Sequence, residues 1–221
     1  VITASNILNK QVPVLDPQDD PVDALNLMDQ FRVADLPVVE KGRYVGMISE
    51  TALMSVDHIL EKEESSTEAR LLAVSVKPHD HILDVLKKAS ENHLSVVPVV
   101  SEDGLYVGAI TLEDLVENMS RMQGASEPGG IIVLEMPALD YSLQQISRIV
   151  EENGAKILSA SVHQSEPGMV DVNLKVNQPD LNAILQTFNR FSYTIKGSYQ
   201  EPEYTEALHK RYEELMRFLN I

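Results

Sequence analysis

Two side chains three residues apart, Thr111 and Asp114, stand in the stretch "GAITLEDL" that runs from Gly108 to Leu115. They fall where a β-branched run gives way to a helical pattern, so a hydroxyl and a carboxylate meet at a helix start. Such a start presents unpaired N–H groups that favour a phosphate or another anion. The same pair also fits a plain N-cap, with the acid stabilising the helix dipole. An earlier stretch, "GMISETAL" from Gly46 to Leu53, repeats the glycine and the hydroxyl as Ser49 but carries Ala52 where the later copy has its acid.

Other reactive groupings are sparse. The "HDH" run from His79 to His81 invites a metal reading, but neighbouring extended positions alternate direction, so only two of the three share a face. No metal site is therefore expected. Without cysteine there is no disulfide frame and no thiolate nucleophile, and no glycine-rich phosphate loop or nucleophile elbow stands out. No catalytic residues are expected and the chain reads as non-enzymatic.

The 221 residues carry 18 Lys and Arg against 34 Asp and Glu, a net charge of −16. A surface of that sign repels nucleic acid and anionic lipid, and no basic run offsets it. No apolar stretch approaches a membrane span, and the first residues lack a signal-peptide pattern. The expectation is a cytoplasmic protein with no nucleic-acid or membrane partner.

The two glycine-hydroxyl stretches belong to a longer internal repeat, which must be settled before any fold assignment. "LDPQDDPVDALNLMDQFRVADLPVVEKGRYVGMISETAL" aligns with "VKPHDHILDVLKKASENHLSVVPVVSEDGLYVGAITLEDL", placing Pro17 on Pro78, Pro37 on Pro98 and Gly46 on Gly108. Each copy reads as a short strand, a helix, a strand pair and a second helix. In the later copy Ile82, Val85, Leu86 and Ala89 recur at helical spacing behind Asp80 as cap. In the earlier copy Pro21 suits the first helical position, with Leu25, Met28 and Phe31 toward the core. The acidic stretch "EKEESSTEAR", Glu61 to Arg70, reads as a solvated helix joining the copies.

These residues resemble the tandem CBS domain pair, or Bateman module, over residues 1 to 125, with repeats at about 1–56 and 71–122. The resemblance implies two clefts between the repeats, each taking a hydroxyl and an Asp from one repeat and most of its base-contacting wall from the other. It implies that the hydroxyl serves a phosphate or ribose and the Asp a ribose diol. Carried onto this chain, the intact cleft uses Thr111 and Asp114, with Val14, Val33, Ala34 and Asp35 as its wall. The second, degenerate cleft uses Ser49 with Ser75, Leu94, Ser95 and Val96, and Ala52 cannot accept a hydrogen bond there. The implied ligand is an adenosyl nucleotide (AMP, ADP, ATP or S-adenosylmethionine), and AMP or another adenosyl ligand with little phosphate fits better than ATP, because the strands before Pro37 and Pro98 offer only Arg32 and His93 at their outer ends. No cofactor is required.

"MQGASEPGG", Met122 to Gly130, is the clearest linker. Beyond it the order strand, helix, strand, strand, helix, strand predicts a ferredoxin-like βαββαβ unit over 131–200, with its central hairpin turning at Pro167 and Gly168. "LQQISRIVEENGAKI" gives that unit a resemblance to the ACT domain, which implies dimerisation first and amino-acid sensing second, since Tyr141 stands at a turn where that family usually has glycine. Residues 201–221 place Leu208, Tyr212, Leu215 and Leu219 on one helical face, a C-terminal amphipathic helix. The whole architecture, an α/β (α+β) chain, resembles the acetoin utilisation protein B group. It implies a regulatory homodimer whose arrangement shifts when a small nucleotide binds, with a protein target possible; a structural dimer is the alternative, and a nucleotide-processing enzyme the third reading.

Overall fold

The computed structural model describes residues 2–54 and 71–200. The expected joining helix at 61–70 and the tail helix at 201–221 lie outside the described residues. The chain divides into two units, Val1–Asn118 and Met119–Ile221. Among the described residues no helix is long and apolar enough to cross a membrane.

In the first unit each repeat supplies a helix, a β-hairpin and the start of a second helix. The first copy has α1 (Pro21–Phe31), β1 (Asp35–Glu40), β2 (Arg43–Ser49) and α2 (Glu50–Met54). The second has α3 (Ile82–Asn92), β3 (Val96–Val100), β4 (Tyr106–Thr111) and α4 (Leu112–Met122). Asp20 caps α1 by accepting from the Val22 N–H, and Pro21 occupies the first turn where no amide partner is needed. At the equivalent place in the second copy the cap is His81 rather than Asp80, its Nδ1 accepting from the Leu83 N–H. Asp80 instead closes the preceding turn on the Lys77 N–H, as Asp19 does on the Asp16 N–H.

The repeats are stitched by exchanged segments. The chain leading into each repeat pairs first with the other repeat's hairpin: Asn9 exchanges backbone hydrogen bonds with Ala109 on β4, and Leu72 with Met47 on β2. Only then does it join its own repeat, Leu15 running parallel to Val38 and Val76 parallel to Val99. The Tyr44 hydroxyl adds a 2.6 Å bond to the Val74 carbonyl, and burial pushes that phenol up beyond its ordinary pKa. One core cluster consequently mixes both copies, packing Leu15, Leu36 and Met47 with Val96 and Ala109. Gly46 and Gly108 sit where the exchanged segments cross. A Cβ on Gly46 would lie 2.7 Å from the Leu71 Cβ, and one on Gly108 would lie 3.1 Å from the Leu8 Cδ2.

The second unit is a four-stranded antiparallel sheet in the order β6-β7-β5-β8, with α5 (Leu143–Glu152) and α6 (Asn182–Arg190) between strands. Its strands are β5 (Gly130–Pro137), β6 (Ile157–Glu166), β7 (Met169–Val176) and β8 (Thr194–Tyr199). This is the predicted βαββαβ order, and the β6–β7 turn falls at Pro167 and Gly168. β5 alternates between buried and open positions rather than being buried throughout, because only one sheet face carries the core of Ile132, Leu134, Val172, Leu174, Ile146 and Phe188. The other face holds Asp171, 6% exposed, with its carboxylate on Lys196 Nζ at 2.8 and 3.1 Å; Lys196 also reaches Glu135 at 3.0 Å. The Lys196 ammonium, foremost through that hydrogen bond, holds the Asp171 carboxyl below its usual range, and Asp171 in turn raises Lys196.

Gly46→Ala is expected to destabilise the first unit by about 1–3 kcal/mol, the usual cost of overpacking, as read by urea denaturation. For Asp171 the folded pKa is depressed, so its stabilisation is complete above the ordinary carboxyl pKa and is lost as pH falls below about 4. Lys196 is raised, so its share is complete below its ordinary pKa and is lost as pH rises above about 10.4. Thermal melts of Lys196→Met should show a shallower decline at both extremes than the parent chain.

Candidate functional site

The first unit carries a cleft of about 450 Å³, in the size range of small-ligand pockets. One wall is the end of β4 and the start of α4, with Thr111, Glu113, Asp114 and Glu117. The facing wall comes from the first repeat: Phe31, Arg32 and Val33 at the end of α1, and Asn9, Gln11 and Val12 from the exchanged segment.

Asp114 is fixed as the wall is built. Its Oδ2 accepts from the Thr111 N–H at 2.9 Å, from the Thr111 hydroxyl at 2.6 Å and from Asn9 Nδ2 at 3.3 Å. The Thr111 hydroxyl accepts in return from the Asp114 N–H at 3.1 Å. The capping pair and the cleft-lining pair are thus the same two residues, and Oδ1 takes no hydrogen bond among the described residues. In the first repeat the counterpart is thinner: the Ser49 hydroxyl accepts from the Ala52 N–H at 3.2 Å and lies 3.0 Å from the Thr51 hydroxyl. Ala52 supplies no carboxylate to return the contact.

The expected wall residues divide. Val33 lines the cleft with Thr111 and Asp114. Ala34 faces a neighbouring depression with Met28, Asp29 and Glu50, and Arg32 borders both. Val14 lies outside the cleft, 42% exposed, because its neighbour Leu15 turns inward to pair with Val38; the exchanged segment at Asn9, Gln11 and Val12 takes its place. Asp35 is buried at 6% exposure and already committed, its Oδ2 accepting from both the Ser95 N–H and the Ser95 hydroxyl at 2.8 Å. The Ser95 hydroxyl accepts in turn from the Ala34 N–H at 2.9 Å, so this cluster ties the repeats together.

For the second cleft, Leu94 and Val96 are buried core side chains with no surface to offer a ligand. Ser95 lines the first cleft instead, and Ser75 and Ser49 are half-buried. Sequence reasoning placed Phe31 in the core, yet it is 40% exposed and lines the cleft. Arg32 ends α1 in the left-handed conformation, φ 55°, as His93 ends α3 at φ 53°, and that turn carries it to the cleft rim. The recurrence of a basic side-chain type one residue past each repeat's first helix, Arg32 and His93, was the available signal.

The CBS domain family matches twice, over residues 4–58 and 73–121, so the aligned repeats are a tandem CBS domain pair. Among curated proteins the chain is similar to an inosine-5'-monophosphate dehydrogenase of Methanocaldococcus jannaschii, 20% identical over 149 residues. That match takes in 67% of this chain but spans only 30% of the relative's length. Among solved structures it is similar to a CBS domain pair/ACT domain protein from Thermotoga maritima, at 19% identity and a TM-score of 0.45, covering 54% of this chain and 98% of that one. It is also similar to CBSX2, a protein of Arabidopsis thaliana, in complex with AMP, at 22% identity and a TM-score of 0.47, covering 55% of this chain and 98% of that one.

Ser95→Ala removes two of the bonds that tie the repeats and leaves the buried Asp35 carboxylate with one fewer donor. It should lower the stability of the first unit by about 1–3 kcal/mol in urea denaturation, whereas the exposed Ser90→Ala should be near neutral.

Proposed function

We propose that this chain is a regulatory ligand sensor in which an adenosyl nucleotide, AMP-like, occupies the cleft between the CBS repeats. The observation that carries this reading is the state of Asp114: one carboxylate oxygen is locked by Thr111 and Asn9, leaving the other to accept hydrogen bonds from a ribose diol. Arg32, which makes no ion pair among the described residues, supplies a guanidinium for a single phosphate. Phe31, Val12 and Val33 give the apolar surface that a purine needs. The first repeat, with Ala52 in place of the acid, offers no equivalent diol acceptor, so one ligand per chain is expected.

The protein works without turnover or a required cofactor. Ligand binding shifts a homodimer between two arrangements, which requires the ligand to bind one arrangement more tightly than the other. The βαββαβ unit acts as an ACT-like dimerisation domain; its sheet leaves Ile131 and Tyr199 exposed at 39% and 63%. The units work as a pair at about 1–125 and 131–200, in the cytoplasm.

Calorimetry with AMP on the full chain tests the site. Asp114→Ala should weaken binding about ten- to a hundredfold, the worth of a charge-assisted hydrogen bond. AMP affinity equal in the variant and the parent chain would remove Asp114 from the site, and AMP turnover by the purified chain would return it to the enzymes.

A further inference from the structure

Resting on the adenosyl reading, we infer that Glu113 and Glu117 make this cleft a charge filter, one that accepts an adenosyl compound with at most one phosphate and disfavours di- and triphosphates. The charges lining the cleft set the first part of the argument. Arg32 is the single cation on its described wall, against the carboxylates of Glu113, Asp114 and Glu117. Each added phosphate brings more negative charge toward the carboxylates of Glu113 and Asp114, with Arg32 the one cation among the described lining residues. Glu113 and Glu117 are exposed, so this repulsion acts through solvent and is modest, about 1 kcal/mol, or about fivefold in affinity, for two unit charges about 4 Å apart in water.

Backbone donors set the second part. A helix N-terminus holds phosphates by unpaired amides, but here those amides are largely taken. The Thr111 N–H is spent on Asp114 Oδ2, the Leu112 N–H on the Ser95 carbonyl at 3.1 Å, and the Asp114 N–H on the Thr111 hydroxyl. The partial positive charge at the start of α4 is likewise faced by Glu113 and Asp114 in its first turn. A first phosphate can use Arg32. A second and third find no further cation among the described lining residues and few open amides, but meet Glu113 and Glu117.

The test is calorimetry on the full chain with adenosine, AMP, ADP and ATP, free of divalent cations, at low and raised salt. The parent chain should bind ATP about five- to tenfold more weakly than AMP. Glu113→Gln should narrow that gap, and Glu113→Gln with Glu117→Gln should largely close it. Added salt should strengthen ATP binding to the parent chain, since screening relieves repulsion; a merely structural role for the glutamates would not give that sign. ATP binding as tightly as AMP, ATP binding weakened by salt, or a gap unmoved in both variants overturns the filter while leaving the adenosyl reading intact. Failure of both adenosine and AMP to bind the parent chain overturns the adenosyl reading and the filter with it.

Discussion

The exchange of lead-in segments is the constraint on which the first unit depends. Asn9 pairs with Ala109 and Leu72 with Met47, so neither hairpin satisfies its outer strand from its own repeat. Hydrophobic burial follows the same pattern, with Val96 and Ala109 closing a core that is otherwise built from the first repeat. A hairpin with an unpaired strand and half a core is marginal by itself. Duplication here is therefore one folded object written twice, with the small residues Gly46 and Gly108 permitting the close crossings.

The cleft is a by-product of that exchange. Crossing to β4 brings Asn9 within reach of Asp114 and lays Gln11 and Val12 along the wall. The left-handed residue that ends α1 then turns Arg32 onto the rim, and the Asp35–Ser95–Ala34 cluster holds the facing repeat at the far side. None of these positions is in the Thr111–Asp114 motif, yet each fixes what the motif can hold. The motif provides a hydrogen-bond acceptor; its surroundings decide shape and charge.

The divergence of the two copies has a local physical meaning. In the second repeat the carboxylate closes a reciprocal pair of bonds with Thr111, whereas in the first the hydroxyl of Ser49 caps alone. The helix start survives either way, because one side-chain acceptor suffices to cap it. Ala52 in place of the acid thus leaves the helix start capped while supplying no carboxylate beside it.

Periodicity, turn residues and self-similarity made the repeat, the hairpins, the βαββαβ order and the Thr111–Asp114 pair legible from the chain alone, because each is written in local spacing. Tertiary structure decided what local spacing cannot encode. Val14 and Leu15 are both apolar, and only pairing with Val38 turned one in and the other out. Asp35 read as a ligand contact until burial beside Ser95 committed it. Phe31 lines the cleft from the last turn of α1 and Arg32 from the left-handed position that ends it, while the amides that promised a phosphate cradle are taken within the Thr111–Asp114 pair and by the more distant Ser95 carbonyl. Local pattern determines which residues form elements; which of their faces and donors remain available is settled only when the elements compete for the same neighbours.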